Sequence, residues 1–114
     1  MKKILILGTA LLCGFLCRVA AQGVEFRDLT FGQALEQART ENKLVFMDCY
    51  TSWCGPCKNM LKNVFTLPEA GEFMNAHFVC VKYDMEKGEG IGLKKQFAVR
   101  AFPTFFIIRP DGTV

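Results

Sequence analysis

Two cysteines separated by Gly-Pro, Cys54-Gly55-Pro56-Cys57, are the residues here best suited to chemistry. Pro56 belongs in the first turn of a helix, where its missing N–H costs nothing, so the pair reads as a strand-to-helix junction. A helix start places unpaired backbone N–H groups and the positive end of the macrodipole beside Cys54. That setting favours thiolate over thiol, and the thiolate is the species that attacks disulfides. Cys57 lies one turn deeper on the same face, near enough to attack a mixed disulfide and release its partner. Gly55 and Pro56 are expected to permit the tight turn and stiffen it, and Trp53 offers a flat surface over the sulfur pair.

Asp48 is the second informative residue, an acid inside the apolar run Leu44–Tyr50. A buried carboxyl is costly, and desolvation raises its pKa. Near neutrality it could accept and return the proton of Cys57. The plainer alternative is that it caps the following loop.

Other chemistries fit less well. A structural zinc site needs four protein ligands. The candidates beyond Cys54 and Cys57 are Cys49, Cys80 and the single His77, and both cysteines fall in expected buried strands. No metal is expected. A static structural disulfide is disfavoured because the three-residue spacing closes a small, labile loop. Cys49 and Cys80 read as buried, inert thiols, with a second disulfide as the alternative. His77 reads as a surface residue near a helix end. Lys87-Gly88-Glu89-Gly90 lacks the strand and Lys-Ser/Thr context of a phosphate loop.

The elements that must position these groups follow from periodicity. Val24–Leu29 reads as a short strand or arm. Thr30 looks like an N-cap for a helix whose inner face is Phe31, Ala34, Leu35 and Ala38, ending near Asn42-Lys43. Residues 44–50 suit a strand buried on both faces. Helices are expected from Cys54, with Met60, Leu61, Val64 and Phe65 inward, from Pro68 to Ala76, and from Leu93 to Phe97. Strands are expected at Phe78–Tyr83 and Thr104–Arg109, with a loop at Glu86–Gly92 and a turn at Pro110-Asp111-Gly112. The alternation β-α-β-α-β-α-β indicates an α/β layered sheet. A further strand begins at Thr113, so an edge strand and its covering helix are expected beyond Val114 and the domain reads as C-terminally incomplete.

The chain has 114 residues, 51% of them apolar and 22% charged, which bounds it to one small domain and excludes disorder and collagen. The net charge of +3 belongs to the N-terminus. Lys2, Lys3 and Arg18 precede any acid, leaving eleven basic and eleven acidic side chains in residues 22–114. A neutral body argues against nucleic-acid binding. Met1-Lys2-Lys3, the apolar run Ile4–Cys17 and Val19-Ala20-Ala21 form the three-part pattern of a signal peptide over 1–21, cut after Ala21. The run is short for a membrane span, though an uncleaved anchor is the alternative. Leu12 and Leu16 precede Cys13 and Cys17, which disfavours lipidation. Export, to a periplasmic or secreted location, implies an oxidising compartment where disulfide exchange has a purpose.

The string Asp48 to Lys58, with Trp-Cys-Gly-Pro-Cys-Lys at its centre, resembles the active-site stretch of thioredoxins, and Ala101-Phe102-Pro103-Thr104-Phe105 resembles their second signature. The resemblance covers roughly Leu44–Val114. It implies a thioredoxin fold with a central mixed sheet flanked by helices. It implies Cys54 as nucleophile, Cys57 as resolving thiol and Asp48 as proton carrier. Pro103 would be a cis-proline packed on the sulfurs, and Phe102 would offer backbone hydrogen bonds to an extended substrate. Trp53, Gly55 and Pro56 complete the substrate surface.

There are departures. Lys62 stands where thioredoxins carry a helix-kinking proline. The insertion Phe65–Glu69 and the strand Phe78–Asp84 are more similar to exported thioredoxin-like proteins, including periplasmic thiol-disulfide interchange domains. The lysine that accompanies the buried acid matches Cys80 or Lys82, depending on register.

The resulting expectation is an envelope thiol-disulfide oxidoreductase, acting on protein disulfides through a mixed disulfide. No organic cofactor is expected. Its electrons would come from an unidentified membrane donor, and it would act as a monomer. Gly-Pro between the cysteines resembles the reducing members of the family, which implies the reducing direction. The alternatives are a disulfide oxidase or isomerase, and a thioredoxin-fold docking module with an idle site.

Overall fold

The computed structural model describes residues 22–114. The signal peptide expected over 1–21, with Cys13 and Cys17, lies outside the described residues. Helix α1 spans Phe31–Glu41. Thr30 caps it reciprocally: its Oγ1 accepts the Gln33 N–H at 3.1 Å, and Gln33 Oε1 accepts the Thr30 N–H at 3.0 Å. Asn42 ends it in the left-handed region, at φ 58°. Strand β1 follows at Leu44–Tyr50, then α2 at Gly55–Asn63 and α3 at Pro68–His77. Strand β2 (Phe78–Asp84), α4 (Gly90–Gln96) and β3 (Thr104–Ile108) complete the order.

The sheet order is β2-β1-β3, with β1 in the centre, parallel to β2 and antiparallel to β3. This is the mixed sheet flanked by helices expected of a thioredoxin fold. Successive side chains on β1 point to opposite faces. Val45, Met47 and Cys49 pack with Val79, Val81, Ile108 and the α1 residues Ala34 and Ala38. Phe46, on the other face, packs with Cys80, Phe65 and the α2 residues Met60 and Leu61. The side of the sheet that carries Phe46, Asp48 and Tyr50 is therefore the side covered by α2.

Of the two readings of segment 24–29, short strand or arm, the structure gives the arm, joined to the sheet by a single bridge, Phe26 to Cys80. Its other backbone groups are taken elsewhere. The Val24 N–H donates to Phe65 O at 2.7 Å and the Glu25 N–H to Asn75 Oδ1 at 2.8 Å. Helix α4 starts three residues earlier than expected, at Gly90. There the backbone lies so close to the Asp84 carbonyl that a Cβ would overlap it, so glycine permits the chain to turn directly into the helix.

Candidate functional site

Cys54 is the N-cap of α2, and Pro56 lies in the helix's first turn. Cys54 and Cys57 form a disulfide with a Cα–Cα distance of 5.3 Å. The Cys57 N–H donates to Cys54 Sγ at 3.1 Å. The sulfur thus takes the place that a Ser or Asp oxygen fills at other helix starts, where one orphan N–H is satisfied. Both cysteines are only 3% exposed. What reaches solvent is their frame, with Trp53 at 63% exposure and both Gly55 and Pro56 exposed.

Asp48 is fully buried, and among the described residues its Oδ1 has no hydrogen-bond partner. Desolvation raises its pKa to about 6, against a smaller opposing effect of the Lys82 ammonium. The cost above that pH is about 3 kcal/mol, which burial of one or two neighbours such as Met47 and Val45 offsets. The register settles which residue accompanies the acid: Asp48 pairs with Lys82, while Cys80 pairs with Phe46. A carboxyl in this state is mostly ionised at neutral pH yet close enough to its pKa to take up a proton and give it back with little driving force.

The rim of the site is aromatic. Trp53 and Phe102 meet edge to face, their centroids 6.0 Å apart. Trp53 Nε1 donates to Glu86 Oε1 at 3.1 Å. The Phe102–Pro103 bond is cis. Glu86 carried no signal in the sequence beyond being an acid just past a strand end. Gly55 departs from its expected role, because a Cβ built there meets nothing within 4 Å and its φ is not positive. The turn does not require glycine; what the missing side chain leaves is open space beside Cys54.

Cys49 and Cys80 are free, buried thiols on opposite faces of the sheet. Burial pushes Cys49 up to about 12 and Cys80 to about 11, so neither supplies a thiolate near neutrality. His77 is exposed at the end of α3. Among the described residues no three His, Cys, Asp or Glu side chains converge as a metal site. No described helix is long and apolar enough to cross a membrane.

Comparison with known proteins agrees with this geometry. The family model Thioredox_DsbH (protein of unknown function, DUF255) matches residues 10–101. Thioredoxin-2 from Pyricularia oryzae is 32% identical over 95 residues, covering 83% of this chain and 52% of that protein. The thiol:disulfide interchange protein DsbD from Pseudomonas fluorescens is 31% identical over 81 residues, 70% of this chain and 14% of that protein. The chain thus spans about half the length of the first of these relatives and a small part of the second. The solution structure of a candidate disulphide-isomerase from Bacteroides thetaiotaomicron superposes with a TM-score of 0.73 at 48% identity, covering 84% of this chain and 79% of that one. The chain belongs to the thioredoxin-like Thioredox_DsbH family, and Cys54–Cys57 is its CXXC disulfide.

Proposed function

We propose that the protein reduces disulfides in other proteins of the bacterial cell envelope. The observation that carries this reading is the Cys57 N–H on Cys54 Sγ at the start of α2. In the reduced protein that donor favours a thiolate at Cys54. The thiolate attacks one sulfur of a substrate disulfide, the substrate S–S bond breaks, and its second sulfur leaves as a thiolate. Cys57 then loses its proton to the Asp48 carboxylate and attacks Cys54 Sγ. The mixed disulfide breaks, Cys54–Cys57 forms, and Asp48 returns the proton to the departing thiolate. Two electrons pass to the substrate, and a membrane dithiol donor restores the pair. No metal or organic cofactor takes part.

Trp53, Gly55, Pro56, Phe102 and Pro103 form the surface against which the substrate chain lies: Trp53, Gly55 and Pro56 are exposed beside two nearly buried sulfurs, and the Phe102 ring, next to the cis Pro103, meets Trp53. The reading places the protein, as a monomer, outside the cytoplasm on the strength of the 1–21 pattern. The DsbD relative's name describes the same interchange chemistry. The name of the Bacteroides neighbour favours a second reading, isomerisation by the same two cysteines.

Insulin-disulfide reduction with dithiothreitol tests the enzyme reading, and wild type is expected to exceed Cys54→Ser by at least about a hundredfold. Activity independent of Cys54 would leave a docking module. Equilibration with glutathione buffers tests direction. A potential well below the glutathione couple supports the reductase, and one well above it favours the oxidase or isomerase; each 30 mV is about 1.4 kcal/mol.

A further inference from the structure

Tyr50 has no part in the exchange chemistry, yet it stands two residues beyond Asp48 on the same strand and so on the same face of the sheet. Lys82, the register partner of Asp48, places its Nζ 5.2 Å from the centroid of the Tyr50 ring. That is within the range of about 6 Å over which a ring face attracts an ammonium. Among the described residues no carboxylate lies within ion-pairing distance of Lys82, so the ring is the group that fixes where this flexible cation sits.

We infer that Tyr50 is a positioning residue, whose ring face keeps the Lys82 ammonium on the Asp48 side of the sheet so that the relay acid retains its cation. Several groups face Asp48 from the surrounding elements. Strand β2 presents Lys82 and Asp84, the latter paired with Tyr50, and β3 presents the uncharged Phe105. Helix α2 carries Cys57 together with the exposed Lys58 and Lys62. Of the charged groups, Lys82 is the one that acts on Asp48, and it favours the carboxylate. Without the ring, the lysine is free to swing to water or toward Asp84, and Asp48 binds its proton more tightly.

The sign separates this role from a merely structural one. A ring that only shielded Asp48 from water would, once removed, hydrate the carboxylate and loosen its proton. The use of the acid rests on the exchange reaction proposed above, but its titration can be read without any turnover.

The test follows the Asp48 carboxyl 13C shift against pH in the oxidised protein. Tyr50→Leu is expected to move the midpoint up by about half a pH unit, a roughly threefold tighter proton. Tyr50→Phe, which keeps the ring face, should titrate as wild type. In a Lys82→Met background Tyr50→Leu should add no upward shift. A downward or absent shift in Tyr50→Leu, or an equal upward shift without Lys82, overturns the assignment. A second readout uses the wild-type protein alone: the Lys82 ε-methylene protons should resonate upfield from the ring current, and ordinary shifts there would also overturn it. Failure of insulin reduction would count against the proposed function and leave this titration result standing.

Discussion

The Cys57 N–H points at Cys54 Sγ across 3.1 Å, so the sulfur proposed to attack is itself the cap of the helix that carries its proposed resolving partner. Position, not exposure, separates this cysteine from the rest, since Cys54, Cys57, Cys49 and Cys80 are all buried. Cys49 and Cys80 sit in strands without such a donor, and desolvation holds their thiols protonated. In the reduced protein at pH 7, limiting iodoacetamide should therefore modify Cys54 first. Cys49 and Cys80 should react at least about a hundredfold more slowly. Peptide mass spectrometry of the alkylated chain reads the order directly. Comparable labelling of Cys49 would mean that local opening, not thiolate supply, governs reactivity.

Asp48 makes a prediction about stability whose sign is unusual for an acid. Its folded pKa is about 6, above the unfolded value of about 4, because burial penalises the carboxylate. Between these values the native state holds the proton more often than the unfolded chain, so stability falls as pH rises through that window. Below about pH 4 the acid is protonated in both states and nothing is lost. Above about pH 6 the deficit is complete, at about 3 kcal/mol. Asp48→Asn should consequently raise the urea midpoint of the oxidised protein at pH 7.5 and match wild type near pH 4. Exchange activity should fall in the same variant. A variant less stable than wild type at pH 7.5 would show that the carboxylate has partners that outweigh its desolvation.

The parts of this site that were legible in the sequence are those fixed locally. Thr30 announces a helix start by its residue type, and the run from Leu44 to Tyr50 announces a strand buried on both faces. The placement of Cys54 at a helix start followed from Pro56. What escaped depends on contacts between distant segments. Lys82 and Cys80 share a strand face, and only the register of β2 against β1 decides which accompanies Asp48. Glu86 reaches Trp53 from a loop 33 residues away, and no period marks such a meeting. The residues of segment 24–29 allow a strand or an arm, and the capture of its N–H groups by Asn75 and Phe65 decides for the arm. The start of α4 was missed because Gly88 and Gly90 read as a loop, whereas one of them allows a close backbone contact.

Gly55 and Gly90 should respond oppositely to the same substitution. At Gly55 a methyl group meets open space and a backbone that any residue adopts, so Gly55→Ala removes unfolded-state freedom at no native cost. A gain of about 0.4–1 kcal/mol is expected, visible as a rise of a few degrees in Tm. At Gly90 the methyl overlaps the Asp84 carbonyl oxygen, a backbone atom that cannot step aside without shifting the end of β2. Gly90→Ala should cost about 1–3 kcal/mol. The activity consequence is confined to Gly55. Its new methyl would stand beside Cys54 on the exposed rim, so exchange with a small disulfide should persist while reduction of insulin slows several-fold. Loss of stability in Gly55→Ala would restore the turn requirement that the residue's open surroundings exclude. Equal slowing with both substrates would mean that the methyl disturbs the sulfurs themselves.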